Sequence, residues 1–412
     1  MRTVSLPSSK SIALRTLLLA SVAQGVSVIE GITLCDDVQA LLSNFQALGI
    51  SYSVGSETIE IRGGRWQRAE HLDCGESGFL ARTLPFLSAL QGHEGRIEGR
   101  GSLVRRNLDD LSTLFAAAGG KCHSHNGTLP MTYSPLVPQE EITVSHLSSS
   151  QGLSGLLMGL PLTDRVKCLK FFDIPSRGYI DATIRVMREF GSLFEVKEVL
   201  NGREVEVVRS NTHMRHHGYR CWHGKVEADW SAAAQIIATL QVGETLCLLG
   251  LDADSLQPDR KILGVVTEAG WDARWEEGAL YLKASGALRP FAFDASDCPD
   301  LFPALAALAS QAVGKSEIRG IHRLRNKESD RAEALQTMLS RYGLPCAITG
   351  DTLYVEGGSP LATETIPTFH DHRIAMAAAA IGLRCPTPPV LDDVVCVAKS
   401  YPRFFDCLPR RG

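Results

Sequence analysis

At 412 residues the chain is too long for one compact core, so two domains are expected. Its 44% hydrophobic and 21% charged residues are those of an ordinary globular protein, and a net charge of −4 leaves no basic stripe for nucleic acid. The 11 cysteines are scattered, with no CxxC pair and no Cys/His ligand spacing, which argues against a disulfide framework or structural zinc and fits a reducing cytoplasm.

Taken in order, six stretches are apolar nearly all round and are expected to form buried helices: 12–23, 79–90, 153–160, 232–240, 301–312 and 374–383. The first has the apolarity of a signal-peptide core, but Arg15 interrupts it. No run is long and apolar enough to span a bilayer, so no membrane partner is expected. Each stretch opens on a polar cluster: Ser8-Ser9-Lys10-Ser11, Cys74-Gly75-Glu76-Ser77-Gly78, Ser148-Ser149-Ser150-Gln151, Glu227-Ala228-Asp229-Trp230-Ser231, Asp297-Cys298-Pro299-Asp300 and His370-Asp371-His372-Arg373. One such cluster is most simply a helix cap. Six on equivalent units imply converging helix N-termini and an anion-binding region.

A second helix series alternates with the first. Each member starts near an acid (Asp37, Asp110, Asp181, Asp259, Asp330) and ends at a glycine (Gly49, Gly120, Gly191, Gly270, Gly343), the acid suiting the helix start and the glycine a left-handed C-cap. An alternating strand and a turn follow, at Gly55-Ser56, Asn126-Gly127, Asn201-Gly202, Glu277-Gly278 and Gly350-Asp351, then a second strand. The period, about seventy residues, is architectural. Each unit reads strand–helix–strand–helix–strand–strand, six times over, with the chain ends sharing one unit. With no Pro/Gly/Ser linker visible, repeat phase places the crossovers near Ser9 and Val226. The expected domains are residues 1–9 plus 227–412, and residues 10–226.

The segment IHRLRNKESDR, from Ile321 to Arg331, sets dense mixed charge at a strand-to-helix junction. Cations at or near such junctions are Lys10, Arg15, Arg106, Lys327, Arg331, Arg373 and Lys399; together they suit a substrate carrying more than one phosphate or carboxylate. Asp300 and Glu328 are the candidates for proton transfer, provided their surroundings separate their pKa values. Ser149, Ser150 and Gln151 offer short hydrogen-bonding groups beside helix amides. His372 reads as a satisfied histidine. GxxxxGK[ST], GxGxxG after a strand, and HExxH are absent, so nucleotide and metal chemistry have no support.

Ten motifs run through the chain: LPSSKS with Arg15, CGESG, the segment ending at Arg106, SSSQ, SRGYID, VEADWSAA, DCPD, RNKESDR, DHR and AKSYP. In this order they resemble the enolpyruvyl transferases, and within them the EPSP synthase family, over essentially the whole chain. The resemblance implies an α/β fold of two similar domains, each of three βαβαββ units, forming an inside-out α/β barrel with an interdomain active-site cleft. It implies transfer of the enolpyruvyl (1-carboxyvinyl) group of phosphoenolpyruvate to the 5-hydroxyl of shikimate 3-phosphate, giving 5-enolpyruvylshikimate 3-phosphate and phosphate, on the route to chorismate and aromatic amino acids. It calls for no metal or other cofactor, two small-molecule substrates as partners, no nucleic acid or membrane, and a monomer in the cytoplasm.

By position, the resemblance matches Lys10, Ser11, Arg15, Ser149, Ser150, Gln151, Ser176, Tyr179, Asp300, Arg323 and Lys327 to shikimate 3-phosphate. It matches Lys10, Gly78, Arg106, Gln151, Arg331, Arg373 and Lys399 to phosphoenolpyruvate. Asp300 is similar to the base on the 5-hydroxyl and Glu328 to the acid that protonates C3, with Lys10 also catalytic. Departures stand at Ser8 (often Gly), Glu76 (often Asn), Phe79 and Leu80 (often small) and Arg323 (Asn in some members), and bear on substrate affinity more than on reaction type. The sister branch acting on UDP-N-acetylglucosamine typically carries a reactive Cys in its loop, and residues 99–107 contain none. An inert binder on the same fold would be expected to lack Asp300, Glu328 or Lys10, and a related RNA-processing enzyme would be expected to carry a basic stripe.

Overall fold

An all-round apolar helix is stable only where nothing around it is water, and the expected runs fold that way. In the computed structural model, which describes residues 1–192, 194–199, 204–209 and 218–409, they become the helices Lys10–Val22, Gly78–Leu90, Ser150–Gly159, Trp230–Ile237, Phe302–Ala309 and His372–Gly382. Every residue of Gly78–Leu90 and of Phe302–Ala309 is buried. Several polar clusters do serve as caps: Ser77, Ser149, Asp229 and Asp371 accept from the N–H groups of Leu80, Gln151, Ala232 and Arg373.

The second series is Asp36–Ala47, Asp110–Ala117, Arg177–Glu189, Ile262–Glu268 and Arg331–Arg341. Gly49, Gly191, Gly270 and Gly343 take the left-handed conformation beyond these helices. In the second repeat that residue is Gly119 (φ 80°), one position before the expected Gly120. Two adjacent glycines give local propensity no means of choosing; helix length decides, since the turn ends on Ala117 with Ala118 as its cap. The turn expected at Asn201-Gly202 lies outside the described residues.

The chain divides into two compact units, Met1–Ser9 with Glu227–Gly412, and Lys10–Val226. In Lys10–Val226 three sheets share one pattern. His71–Asp73 runs parallel to Gly95–Glu98, which pairs antiparallel with the second strand of the hairpin Cys122–His125/Thr128–Tyr133. Glu141–Ser145 and Cys168–Phe172 meet the hairpin Phe194–Val199/Glu204–Arg209 in the same way. The remaining sheet takes its first strand from the far end of the unit: Tyr219–Arg220 and His223–Lys225 lie parallel to Ala23–Glu30.

The other unit follows the same rule. Arg2–Ser5 pairs parallel with Thr245–Leu249, so the chain start completes a repeat whose other elements lie beyond residue 226. Ala292–Asp294 begins the next repeat. The last repeat is abbreviated: a parallel bridge, Ile366 to Leu391, flanks helix His372–Gly382, and 3-10 turns at Val395–Lys399 and Phe405–Cys407 follow. Each unit has its own core, around residues such as Leu17, Leu84 and Leu156 in one and Leu305, Leu335 and Ile374 in the other. Truncating any of these to Ala costs about 2–5 kcal/mol. Two close approaches repeat as well. A Cβ on Gly63 would overlap the carbonyl oxygen of Ala20, and one on Gly357 that of Ala312, so each hairpin can lie on the end of its buried helix only with glycine there. Among the described residues no helix is long and apolar enough to cross a membrane.

Candidate active site

In the unit holding Asp300, helices Trp230–Ile237, Phe302–Ala309 and His372–Gly382 pack on one another, and a charged cluster forms at their starts. Its centre is Arg331, the first residue of Arg331–Arg341, whose side chain is only 1% exposed. Its guanidinium donates to Asp371 (2.8 and 3.3 Å), Asp300 (2.8 Å) and Glu328 (2.7 Å). Asp300 also takes Lys327 Nζ at 3.2 Å on Oδ1 and Arg373 Nη2 at 3.1 Å on Oδ2. Lys399 Nζ lies 3.6 Å from Glu328 Oε1. Asp300 sits in the short 3-10 turn Pro299–Leu301 and caps no helix; its carboxylate is given over to cations instead.

Four cations (Lys327, Arg331, Arg373, Lys399) thus face three carboxylates (Asp300, Glu328, Asp371) in ion pairs. Exposure separates roles: the Asp300 and Lys327 side chains are 23% and 24% exposed, those of Arg331 and Asp371 1% and 0%. The first pair can meet a ligand, whereas the second is interior scaffolding. Burial alone would push Asp300 up, but Arg373, Lys327 and Arg331 together hold it well below the usual carboxylate range. Burial lowers Lys327, partly offset by Asp300. Arg323, on the turn Ile321–Leu324, is close enough for its charge to act on Lys327 in the same lowering sense.

Behind this cluster stands Asp259, which sequence reading treated only as a helix-start acid. It is 3% exposed, accepts a hydrogen bond from Ser231, and is pushed up to about 7 by burial and then by Asp300, against the pull of Arg373.

In Lys10–Val226, helix Ser150–Gly159 packs against both Gly78–Leu90 and Arg177–Glu189, and Arg177–Glu189 against Lys10–Val22. Two groups of the expected residues result. Around Arg15, the guanidinium donates to Thr183 Oγ1, Ser11 O and Oγ, Ser154 Oγ and Tyr179 O, one bond for each of its five N–H groups. The Phe79 ring covers its face at 4.5 Å. Arg15 is 2% exposed, and among the described residues no carboxylate pairs with it; burial lowers it to about 10. Ser150, whose carbonyl accepts from Ser154 Oγ, and Ser176 are both buried, Ser176 in the left-handed conformation (φ 56°) before helix Arg177–Glu189. Lys10, one residue before Ser11, pairs with Asp37 at 2.9 Å.

The second group gathers at Gly78. A Cβ there would lie 3.0 Å from both Arg106 Nη1 and Arg82 Nη1 and 3.8 Å from Gln151 Oε1, so glycine admits two guanidinium groups to the helix start. Arg82 donates to Gly78 O, Gln151 Oε1 and Asn107 O. Asp37 stands out in the sequence only as a helix-start acid, and Arg82, Ser154 and Thr183 not at all as site residues. Arg82 had a signal: a single cation inside an otherwise apolar helix, one turn from Gly78.

The family model described as EPSP synthase (3-phosphoshikimate 1-carboxyvinyltransferase) matches residues 2–408. The 3-phosphoshikimate 1-carboxyvinyltransferase of Clostridium novyi is 33% identical over 99% of this chain and 94% of its own length. That of Clostridioides difficile is 33% identical, covering 98% and 93%. Among solved structures, EPSP synthase from Acinetobacter baumannii superposes with a TM-score of 0.77 at 24% identity, covering 98% and 94% of the two chains. The enolpyruvyl transferase NikO from Streptomyces tendae gives 0.76 at 18% identity, covering 99% and 94%. The structural likenesses carry the fold, and the family model and whole-length relatives carry the membership: the chain belongs to the EPSP synthase (3-phosphoshikimate 1-carboxyvinyltransferase) family.

Proposed function

We infer that the chain catalyses its family's reaction, transferring the enolpyruvyl group of phosphoenolpyruvate to the 5-hydroxyl of shikimate 3-phosphate with release of phosphate. The observation that supports this best is Asp300: a partly exposed carboxylate, held ionised by three cations, at the edge of a buried charged cluster. We assign it as the base. The 5-hydroxyl oxygen attacks C2 of phosphoenolpyruvate, its proton passes to Asp300, and C3 receives a proton from Glu328, which enters this step in its acid form and leaves it as the carboxylate paired with Arg331 and Lys399. The resulting tetrahedral adduct then returns a proton from C3 to the Glu328 carboxylate as the C2–O bond to phosphate breaks, leaving the enol ether and free phosphate.

Asp300 enters ionised but weakly basic. Anionic substrate groups that draw on Lys327 and Arg373 loosen the cations' hold and raise its proton affinity as the substrates arrive. Arg106, Arg82 and Gln151 around Gly78 suit the phosphoenolpyruvate anion. The serines near Arg15 suit the sugar phosphate, and Arg15 itself serves as the strut that orders them. The buried thiols suit a reducing compartment, and the proposal extends to a cytoplasmic monomer.

The test is phosphate release with phosphoenolpyruvate and shikimate 3-phosphate, with UDP-N-acetylglucosamine as the alternative acceptor. Release with the shikimate ester alone is expected. Release only with the nucleotide sugar would transfer the chain to the sister reaction.

A further inference from the structure

The turn before helix Gly78–Leu90 carries a carboxylate, Glu76, that the reaction as written does not use. It faces the 3-10 turn Gly101–Arg105, which delivers Arg106. Half-buried, Glu76 accepts on Oε2 from Ser102 N–H at 3.4 Å and from Ser102 Oγ at 3.3 Å. The same Ser102 oxygen accepts from Arg106 Nη2 at 2.8 Å. One hydroxyl therefore donates to the carboxylate and receives the guanidinium, each bond polarising the other. The turn is shaped for this contact: Gly101 has φ 57°, and a Cβ on it would overlap the Glu76 carboxylate. Neighbouring ties run the same way, Arg100 N–H to Gly75 O at 2.8 Å and Arg100 Nη1 to Asp73 Oδ2 at 3.1 Å.

We propose that Glu76 is a positioning residue, holding the Arg106 guanidinium at the Gly78 helix start through the Ser102 hydroxyl. A carboxylate acting only by its charge, to temper Arg106, would need no contact with the Gly101-Ser102 backbone; this one lies against it. The inference rests on the reading that Arg106 meets phosphoenolpyruvate, and its value to the enzyme is orientation: the side chain is already placed before the anion arrives.

The experiment uses the full chain with Glu76→Ala, Glu76→Gln, Ser102→Ala and the Glu76→Ala/Ser102→Ala pair. Steady-state kinetics are read alongside hydrogen exchange of segment 99–107 without substrates. Loss of a charge-assisted acceptor predicts that Glu76→Ala and Ser102→Ala each raise KM for phosphoenolpyruvate about tenfold, with kcat within about twofold. The double variant is no worse than either single one, because both cut one chain. Glu76→Gln keeps the acceptor and stays within about threefold of the parent. Exchange accelerates in Glu76→Ala and not in Glu76→Gln. A Gln variant as impaired as the Ala variant would show that charge is what matters, and an unchanged KM in Glu76→Ala would end the proposal. If the parent chain releases no phosphate, the assigned reaction fails while exchange still judges the clamp: equal rates in parent and Glu76→Ala would overturn it.

Discussion

Arg331 and Asp371 meet as a two-pronged pair, Nε to Oδ2 at 2.8 Å and Nη2 to Oδ1 at 3.3 Å, with both side chains essentially sealed from solvent. Asp371 also caps helix His372–Gly382 and accepts from Ser329 Oγ at 3.0 Å. Arg331 reaches onward to Asp300 and Glu328. The interior pair is thus the anchor from which both proposed proton-transfer groups are held.

Removing the anchor should be costly. Asp371→Ala leaves a buried guanidinium short of two acceptors and a helix uncapped, for an expected loss of about 3–5 kcal/mol. Urea unfolding followed by tryptophan fluorescence reads it, since Trp230, Trp271 and Trp275 lie in the same unit. A loss under about 1 kcal/mol would show that the pair is dispensable.

Asp300→Asn keeps the shape and removes the proton acceptor. Turnover should fall by about 10²–10⁴-fold while cooperative unfolding persists. Near-parental phosphate release from this variant would strike Asp300 from the mechanism. Acid stability offers a second reading. The folded-state pKa of Asp300 is depressed, so its stabilisation is present above its unfolded value and lost as pH falls through the folded one. The Asn variant should lack that low-pH slope.

Asp259 should titrate with the opposite sense. Its pKa is raised to about 7 in the folded state from an ordinary 3.8. Between those values the folded chain binds the extra proton, so its contribution is full below about 4 and declines as pH rises through about 7. Asp259→Asn retains an oxygen for Ser231 and removes the titration. Melting temperatures measured from pH 5 to 8 should diverge in favour of the variant as pH rises, and parallel curves would refute the assignment.

Gly78→Ala places a methyl 3.0 Å from the tips of Arg82 and Arg106. Those tips belong to flexible side chains, so stability should change by less than about 1 kcal/mol. The displaced guanidinium should raise KM for phosphoenolpyruvate several-fold. An unchanged KM alongside an unchanged melting curve would mean that Gly78 is not there to admit the arginines.

Much of the fold is legible locally because each signal acts within one turn or one hairpin. The apolar run of Gly78–Leu90, the Asp330 cap of Arg331–Arg341, and Gly49, Gly191, Gly270 and Gly343 beyond their helices all follow from period, capping and φ preference. Where local terms tie, as at Gly119 and Gly120, helix length in the folded chain breaks the tie. The motifs likewise bring Asp300, Lys327, Glu328, Arg373 and Lys399 to notice one by one.

Their division of labour is another matter. Arg331 and Arg15 read as ligands in the sequence, yet the fold buries both and spends their N–H groups on Asp371, Asp300 and Glu328 in one case and on Ser11, Thr183, Ser154 and Tyr179 in the other. Asp259 becomes a site neighbour only through packing, and so do the partners that Arg82 finds beyond its own helix, Gln151 and Asn107. The sequence by itself determined where helices start, which faces are apolar and which charged residues gather at helix ends. Tertiary structure alone decided which of those charges meet water and which meet each other. Burial and ion pairing depend on residues tens to hundreds of positions apart, and no local period carries that information.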